Sequence, residues 1–156
     1  MEYKTNVMRM LDSHKIPYKH YEYEHNLFIN GEQIANSLGQ NPNQVFKTLV
    51  TTGKSGIHYV FMIPVCTELD LKRAAVAVGE KSISMLPIRE LLGLTGYIHG
   101  GCSPIGMKKQ FQTAIDSSAN KFKTIIFSAG HIGHQVEVSV SDLLTVINAS
   151  FAQLTI

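Results

Sequence analysis

The sequence predicts a mixed α+β domain, built on one curved mixed sheet or barrel with flanking helices. Strand-like runs outnumber helical ones, and several are joined by tight turns. Apolar residues make up 44% of the 156 and charged residues only 17%, so the chain has the material for a real core. At ~150 residues per domain, residues 1–156 read as a single domain. A chain of this size buries about 68–70% of its unfolded surface and needs no disulfide or metal staple.

The first element reads as a helix. Val7, Met8, Met10 and Leu11 crowd one face, Thr5 or Asn6 offers a cap, and Pro17 prevents continuation. Tyr18 to Glu24 alternates aromatic with polar or charged residues, the pattern of a half-buried strand. Gly31 to Leu38 is a short helix with Gly39 in the usual C-terminal position, and Asn41-Pro42-Asn43 is a turn. Val45–Thr52 and Ile57–Val65 read as a hairpin around Gly53-Lys54-Ser55-Gly56.

Leu69–Val78 is the clearest helix, opened by Leu69 or Asp70, favoured by Ala74, Ala75 and Ala77, and closed by Gly79. Ser82–Leu86 is a short strand, and Pro87 starts a brief helix that ends at Gly93. Gly96–His99 leads into a glycine-rich loop at 100–106. Gln110–Ile115 and Lys123–Ser128 read as strands around the polar turn Asp116-Ser117-Ser118. Gln135–Val140 is a further strand, after which Ser141 caps a last helix carrying Leu143, Leu144, Val146 and Ile147.

With 14 Lys and Arg against 12 Asp and Glu, the formal charge is +2. That is too weak for coating long duplex DNA, although a few phosphates at one end of a nucleic acid remain within reach. The two cysteines, Cys66 and Cys102, make neither a disulfide framework nor a CxxC pair. With no secretory signal, a soluble cytoplasmic protein is the expectation. The longest apolar stretch, Tyr59 to Cys66, is too short to span a bilayer, so no membrane partner is expected.

No catalytic constellation stands out. Cys102 lies three residues after His99 without any cysteine-protease signature, and it reads as a small residue in a tight loop. His131 and His134 have a spacing that two metal ligands could share, but no nearby Cys or His completes a zinc set, so neither metal nor cofactor is expected. Glu22 and Glu24, on one strand face, read as a solvated edge. Lys47 is different, because it interrupts the run Val45-Phe46-Lys47-Thr48-Leu49-Val50. Its ammonium either reaches solvent along its stem or points into a polar cavity. The 100–106 loop is equally compatible with a structural turn and with a binding loop whose bare backbone a ligand can approach.

Phe46-Lys47-Thr48-Leu49, Leu69-Asp70-Leu71-Lys72, Gly96-Tyr97, Gly100-Gly101-Cys102-Ser103-Pro104-Ile105-Gly106, Ile115-Asp116 and Ser128-Ala129-Gly130 occur in that order. Over about residues 5 to 150 this resembles the YbaK-type aminoacyl-tRNA deacylases, free-standing relatives of the editing domain inserted in bacterial prolyl-tRNA synthetases. The resemblance implies hydrolysis of a mischarged aminoacyl-tRNA, in the most similar subfamily Cys-tRNA(Pro). Cysteine and proline are close in size, and a pocket discriminates weakly between such side chains, which is why a second, hydrolytic sieve is needed.

The resemblance further implies that Lys47 holds the ribose and phosphate at the tRNA 3′ end. Thr48 joins it as a catalytic position. Carbonyls of Gly100, Gly101, Cys102, Ser103 and Pro104 would take the substrate's amino group. Tyr23, Ser128 and Gly130 match other pocket positions. For a cysteinyl ester the substrate's own thiol can attack its carbonyl, so the protein acts by orientation. Implied partners are the acceptor 3′ end of a mischarged tRNA and, transiently, prolyl-tRNA synthetase.

The chain departs from common family patterns at Asn30, His131, Ile132 and Gln135, which bear on acceptor-stem contact and amino-acid preference more than on the reaction. Two alternatives stand beside this reading: a deacylase for another mischarged tRNA, with Ala or Ser, and a non-catalytic module that binds a tRNA 3′ end or nucleotide and recruits a synthetase.

Overall fold

The computed structural model describes residues 3–24 and 30–156. In chain order its elements are α1 (Asn6–Ser13), β1 (Tyr18–Glu22), α2 (Gly31–Ser37), β2 (Phe46–Gly53), β3 (His58–Pro64), α3 (Leu71–Val78), β4 (Ile83–Met85), α4 (Ile88–Thr95), β5 (Thr113–Asp116), a 3-10 helix (Ser117–Lys121), β6 (Thr124–Ser128), β7 (His134–Ser139), α5 (Val140–Val146) and β8 (Ala149–Ala152). The α+β class is as expected, with one correction. Instead of one curved sheet or a barrel, the strands form two sheets, ordered β1-β7-β6 and β4-β2-β3-β5-β8. Where the sheets approach, a single parallel bridge joins Val45 to Ile126, too little pairing among the described residues to close a barrel.

Local chemistry explains most of the elements. The Thr5 side chain accepts the Met8 N–H at 3.2 Å, which starts α1 and turns Val7, Met8 and Leu11 into the core. Asp70 accepts the N–H groups of Lys72 and Arg73 and so opens α3. The β2–β3 hairpin is antiparallel, whereas β5 lies parallel to β3 and β8 parallel to β5. Strand β3 is covered on both faces. Val60 and Met62 join the core that includes α1, β6 and β7, while Phe61 and Ile63 pack against Ala74 and Ala75 of α3. A strand buried on both sides needs a continuous apolar run, and Tyr59 to Pro64 supplies one.

Four local expectations change. Helix α4 does not end at Gly93 but continues to Thr95, and the left-handed residue that closes it is Gly96, with φ +87°. Gly93 is tolerated inside the helix at a cost of about 1 kcal/mol relative to Ala. The segments flanking Asp116 do not pair, because β5 and β6 belong to different sheets. The polar turn between them is the 3-10 helix, whose cap Asp116 accepts from Ser118 N–H and, through its other oxygen, from Leu154 N–H at 2.9 Å. Helix α5 is capped by Ser139 rather than Ser141. Strand β8, four residues long, was not expected from the sequence. Among the described residues no helix is long and apolar enough to cross a membrane.

Candidate functional site

Two glycine-bearing loops are held together by one tyrosine. Tyr97 is buried, and its hydroxyl donates to the Ile105 carbonyl at 2.5 Å. An added Cβ at Gly106 would lie 2.8 Å from that hydroxyl, and one at Gly130 would lie 2.9 Å from the ring. Both glycines have left-handed backbone, with φ +81° and +89°. A side chain at either position would meet both steric contact and backbone strain. Tyr97 therefore pins the 100–106 loop to the segment that follows β6. Gly101 completes the contact from the other end, since its ideal Cβ would sit 3.2 Å from the Ile132 backbone nitrogen. Glycine at 101 permits that backbone-to-backbone approach.

Two other candidate residues, Tyr23 and Ser128, attach directly to the second of these loops. Tyr23 is tied to the turn after β6 by its N–H, which donates to the Gly133 carbonyl at 3.0 Å. Ser128 ends β6 and accepts the Gly130 N–H at 3.1 Å, which shapes the Ser-Ala-Gly turn. The bridge from Val45 to Ile126 is parallel, so the two chains run on in the same direction to Lys47 and to Ser128. Gly100 is exposed, whereas Gly101, Cys102, Ser103 and Pro104 are buried. Ser103 Oγ accepts the Ile105 N–H at 3.4 Å. Gly130 packs toward Tyr97 and Val7, so its role on this geometry is close packing behind the loop.

Lys47 and Thr48 are neighbours in sequence but not in direction. Lys47 pairs with Ile63 and Thr48 with Met62 across the β2–β3 ladder. Strand alternation puts Thr48 on the face of Phe46 and Val50, the core that also contains Cys102 and Ile105. Lys47 falls on the opposite face, with Leu49. Each is chemically unusual. The half-buried Lys47 has no carboxylate or hydrogen-bond partner among the described residues. The Thr48 hydroxyl is buried with no hydrogen-bond partner, a state shared by only two other buried side-chain atoms among the described residues, in Gln40 and Ser118. An unsatisfied buried hydroxyl costs roughly 1–3 kcal/mol, and a ligand atom would recover that energy.

Burial pushes the Cys102 thiol up to about 12, which disfavours the thiolate that nucleophilic attack needs at neutral pH. Its side chain belongs to the core. Burial, and then the neighbouring Cys102, raise Tyr97 to about 12 as well, keeping it a neutral donor to Ile105. Sequence reasoning placed Tyr97 only within a motif. Its clamping role depends on two glycines nine and thirty-three positions away, which no local pattern connects.

Among the departures, Gln135 is buried and accepts from the Gln40 side-chain amide at 2.8 Å. Asn30 caps α2 by accepting the Gln33 N–H at 2.9 Å, a structural use of that position.

Comparisons with known proteins identify the family and the fold. The profile of the family described as "Aminoacyl-tRNA editing domain" matches residues 30–146. A protein of Enterococcus faecalis, EbsC, whose name provisionally makes it a Cys-tRNA(Pro)/Cys-tRNA(Cys) deacylase, is 46% identical over 97% of this chain and 93% of its own. YwhH of Bacillus subtilis, which has no assigned activity, is 25% identical over 72% of this chain and 71% of its own. A crystal structure described provisionally as a trans-editing enzyme for prolyl-tRNA synthetase superposes with a TM-score of 0.83 at 22% identity, covering 99% of both chains. At that identity the likeness speaks for the fold.

Proposed function

The chain belongs to the aminoacyl-tRNA editing domain family, and from that premise we propose that it deacylates cysteine mischarged on tRNA(Pro), acting in trans in the cytoplasm. The near full-length similarity to EbsC supports the substrate, and the buried, unpartnered Thr48 hydroxyl is the observation that carries the site.

The chemistry asks little of the protein's own side chains. Backbone carbonyls of the Gly100–Pro104 loop accept the substrate's ammonium, and the bare glycines let them come close. The Thr48 hydroxyl bonds the ester or its ribose, with Tyr23 and Ser128 as further hydroxyls. Lys47 neutralises a phosphate at the tRNA 3′ end. The substrate thiol then attacks its own ester carbonyl. A carbon–sulfur bond forms, the ester carbon–oxygen bond breaks, and the thiol proton passes to the departing ribose oxygen. The products are free tRNA and a cyclic thiolactone, which water opens to cysteine. The first step is thus an intramolecular acyl substitution that releases tRNA without water, and hydrolysis follows only when the thiolactone opens. Holding thiol and carbonyl in near-attack geometry is worth several kcal/mol. A neutral, core-facing Cys102 agrees with a reaction in which the enzyme contributes no nucleophile.

A charge of +2 suits a protein that grips only the tip of a tRNA, and a transient complex with prolyl-tRNA synthetase would supply the rest of the recognition. The test is hydrolysis of Cys-, Ala-, Ser- and Pro-charged tRNA(Pro) by the purified protein, with and without Lys47→Ala. The proposal expects the cysteinyl ester to be cleaved fastest and the variant to be impaired. Equal rates on alanyl and cysteinyl esters would remove the thiol-assisted step. Binding of tRNA without hydrolysis would leave a non-catalytic module.

A further inference from the structure

Folding assembles a second group of functional side chains that the deacylation chemistry does not use. His20 and Glu22 lie two residues apart on β1 and share a face of the sheet. Directly opposite Glu22, in register on β7, stands His134. His20 Nε2 and His134 Nδ1 are 2.9 Å apart, and His20 Nε2 lies 3.9 Å from Glu22 Oε1. All three donor atoms fall within 4.8 Å of one another.

We propose that His20, Glu22 and His134 form a binding site for a divalent transition-metal ion of the zinc type. Two imidazoles and a carboxylate make a donor set suited to zinc and its neighbours rather than to magnesium or calcium, which prefer oxygen ligands. The distances are close to those required. Two nitrogens bound to zinc at about 2.0–2.1 Å with a tetrahedral angle stand about 3.3 Å apart. The histidine pair has to open by roughly 0.4 Å, and the carboxylate to close by roughly 0.5 Å on His20 and by up to about 1.5 Å on His134. Side-chain torsion alone can supply both movements, because Glu22's side chain is 65% exposed and His20's is 25% exposed.

The backbone is already in place, since the ligands sit on two paired strands. The His134 ring is held by Tyr3, stacked on it at 4.4 Å with planes 21° apart. Three protein ligands leave a fourth position open. Two of the three, His20 and Glu22, help line a broad depression of about 720 Å³ together with Tyr3, Asp12 and Tyr18. The sequence spacing pointed instead to His131 with His134, but those rings meet edge to face at 5.8 Å, and His131 Nδ1 is engaged at 3.0 Å with the Ile132 carbonyl. A bound ion would cross-link β1 to β7 next to Gly133, whose carbonyl holds Tyr23.

The experiment is calorimetric titration of the full chain with zinc chloride, with magnesium chloride in parallel, and a cobalt(II) absorption spectrum. The proposal expects one equivalent of zinc bound at micromolar concentration, no response to magnesium, and a rise in melting temperature with zinc. His20→Gln and His134→Gln each weaken zinc at least tenfold, while His14→Gln, at the far end of α1, does not. Cobalt shows visible bands without the near-ultraviolet charge transfer of a thiolate ligand. The proposal is overturned if the wild-type protein binds no zinc at a single equivalent, if a thiolate band appears, or if the double His20→Gln/His134→Gln protein, native by circular dichroism, binds as before. Should either histidine variant fail to fold, Glu22→Gln carries the test. A severalfold loss supports the site, and unchanged affinity refutes it.

Discussion

Removing one oxygen atom tests whether Tyr97 is the clamp between the two glycine loops. Tyr97→Phe keeps the ring against Gly130 and deletes only the hydroxyl that donates to Ile105. The carbonyl left behind is buried, so the loss is that of an unsatisfied acceptor, about 1–3 kcal/mol. For a chain of this size about 1 kcal/mol moves the melting temperature by roughly 2–4 °C, so the expected fall is about 2–12 °C. A coupling measurement sharpens the test. Gly106→Ala drives a methyl to 2.8 Å from the Tyr97 oxygen, and that oxygen is absent in Tyr97→Phe. Gly106→Ala should therefore cost less in the Tyr97→Phe background than in the wild type, leaving mainly the strain of a left-handed alanine, about 1–2 kcal/mol. Gly130→Ala meets ring carbons, and its cost should be the same in both backgrounds. The assay is denaturant unfolding of the two double-mutant cycles. Additive costs for Gly106→Ala, or an unchanged melting temperature for Tyr97→Phe, would refute the clamp.

Lys47→Ala should lower kcat/KM on Cys-tRNA(Pro) by roughly 10–10²-fold, the loss of one contact to a charged group, mainly through KM and with the melting temperature nearly unchanged. Thr48→Val should do the reverse on stability. It removes an unpartnered buried hydroxyl and should raise the melting temperature by about 2–4 °C while slowing deacylation, read in one thermal scan and one hydrolysis assay. Iodoacetamide at about pH 8 should label exposed Cys66 and spare Cys102 until the protein is unfolded, as mass spectrometry of the peptides would show. Glu80 is held below the ordinary carboxylate range by hydrogen bonds from Ser55 and Tyr59. A lowered folded pKa contributes stability above about pH 4.5 that is lost as the pH falls through the folded value. Melting temperatures of wild type and Glu80→Gln should accordingly converge on acidification below that point.

The sequence was most informative where the determinants are local. The caps at Thr5 and Asp70, the β2–β3 turn and the apolar run of β3 each act within a few residues, and each became the element expected. The failures share a cause. Strand β8 is four residues of modest propensity, stabilised by parallel pairing to β5 and by Asp116 reaching Leu154 N–H, contacts formed only in the tertiary structure. Two sheets replaced one because β5 and β6, close in sequence, find different partners. At the site, the unusual residue types Lys47 and Gly100–Gly106 were legible. The pairing of His20 with His134, 114 residues apart, was not.

The placement of Lys47 and Thr48 on opposite faces of β2 assigns them different work. On the proposed function, an amino acid seated at the Gly100–Pro104 loop would lie on the side that Thr48 faces, where Cys102 and Ile105 belong to the core. From there a hydroxyl can bond the ester, the part of the substrate whose charge changes during reaction. Lys47 must come around the strand. Strand β4 pairs with residues 51–53 of β2 and β6 meets β2 at the Val45–Ile126 bridge, so Lys47 lies between these two contacts on a flexible four-carbon stem. On the proposed function, a tRNA phosphate is the group that its ammonium would meet. The charge of that phosphate is the same before and after ester cleavage, so on the proposed function the contact would act mainly on binding, whereas a Thr48 contact would act on the transition state. An unpartnered hydroxyl kept in the core at a stability cost is understandable on that division, because its partner would be the reacting group itself.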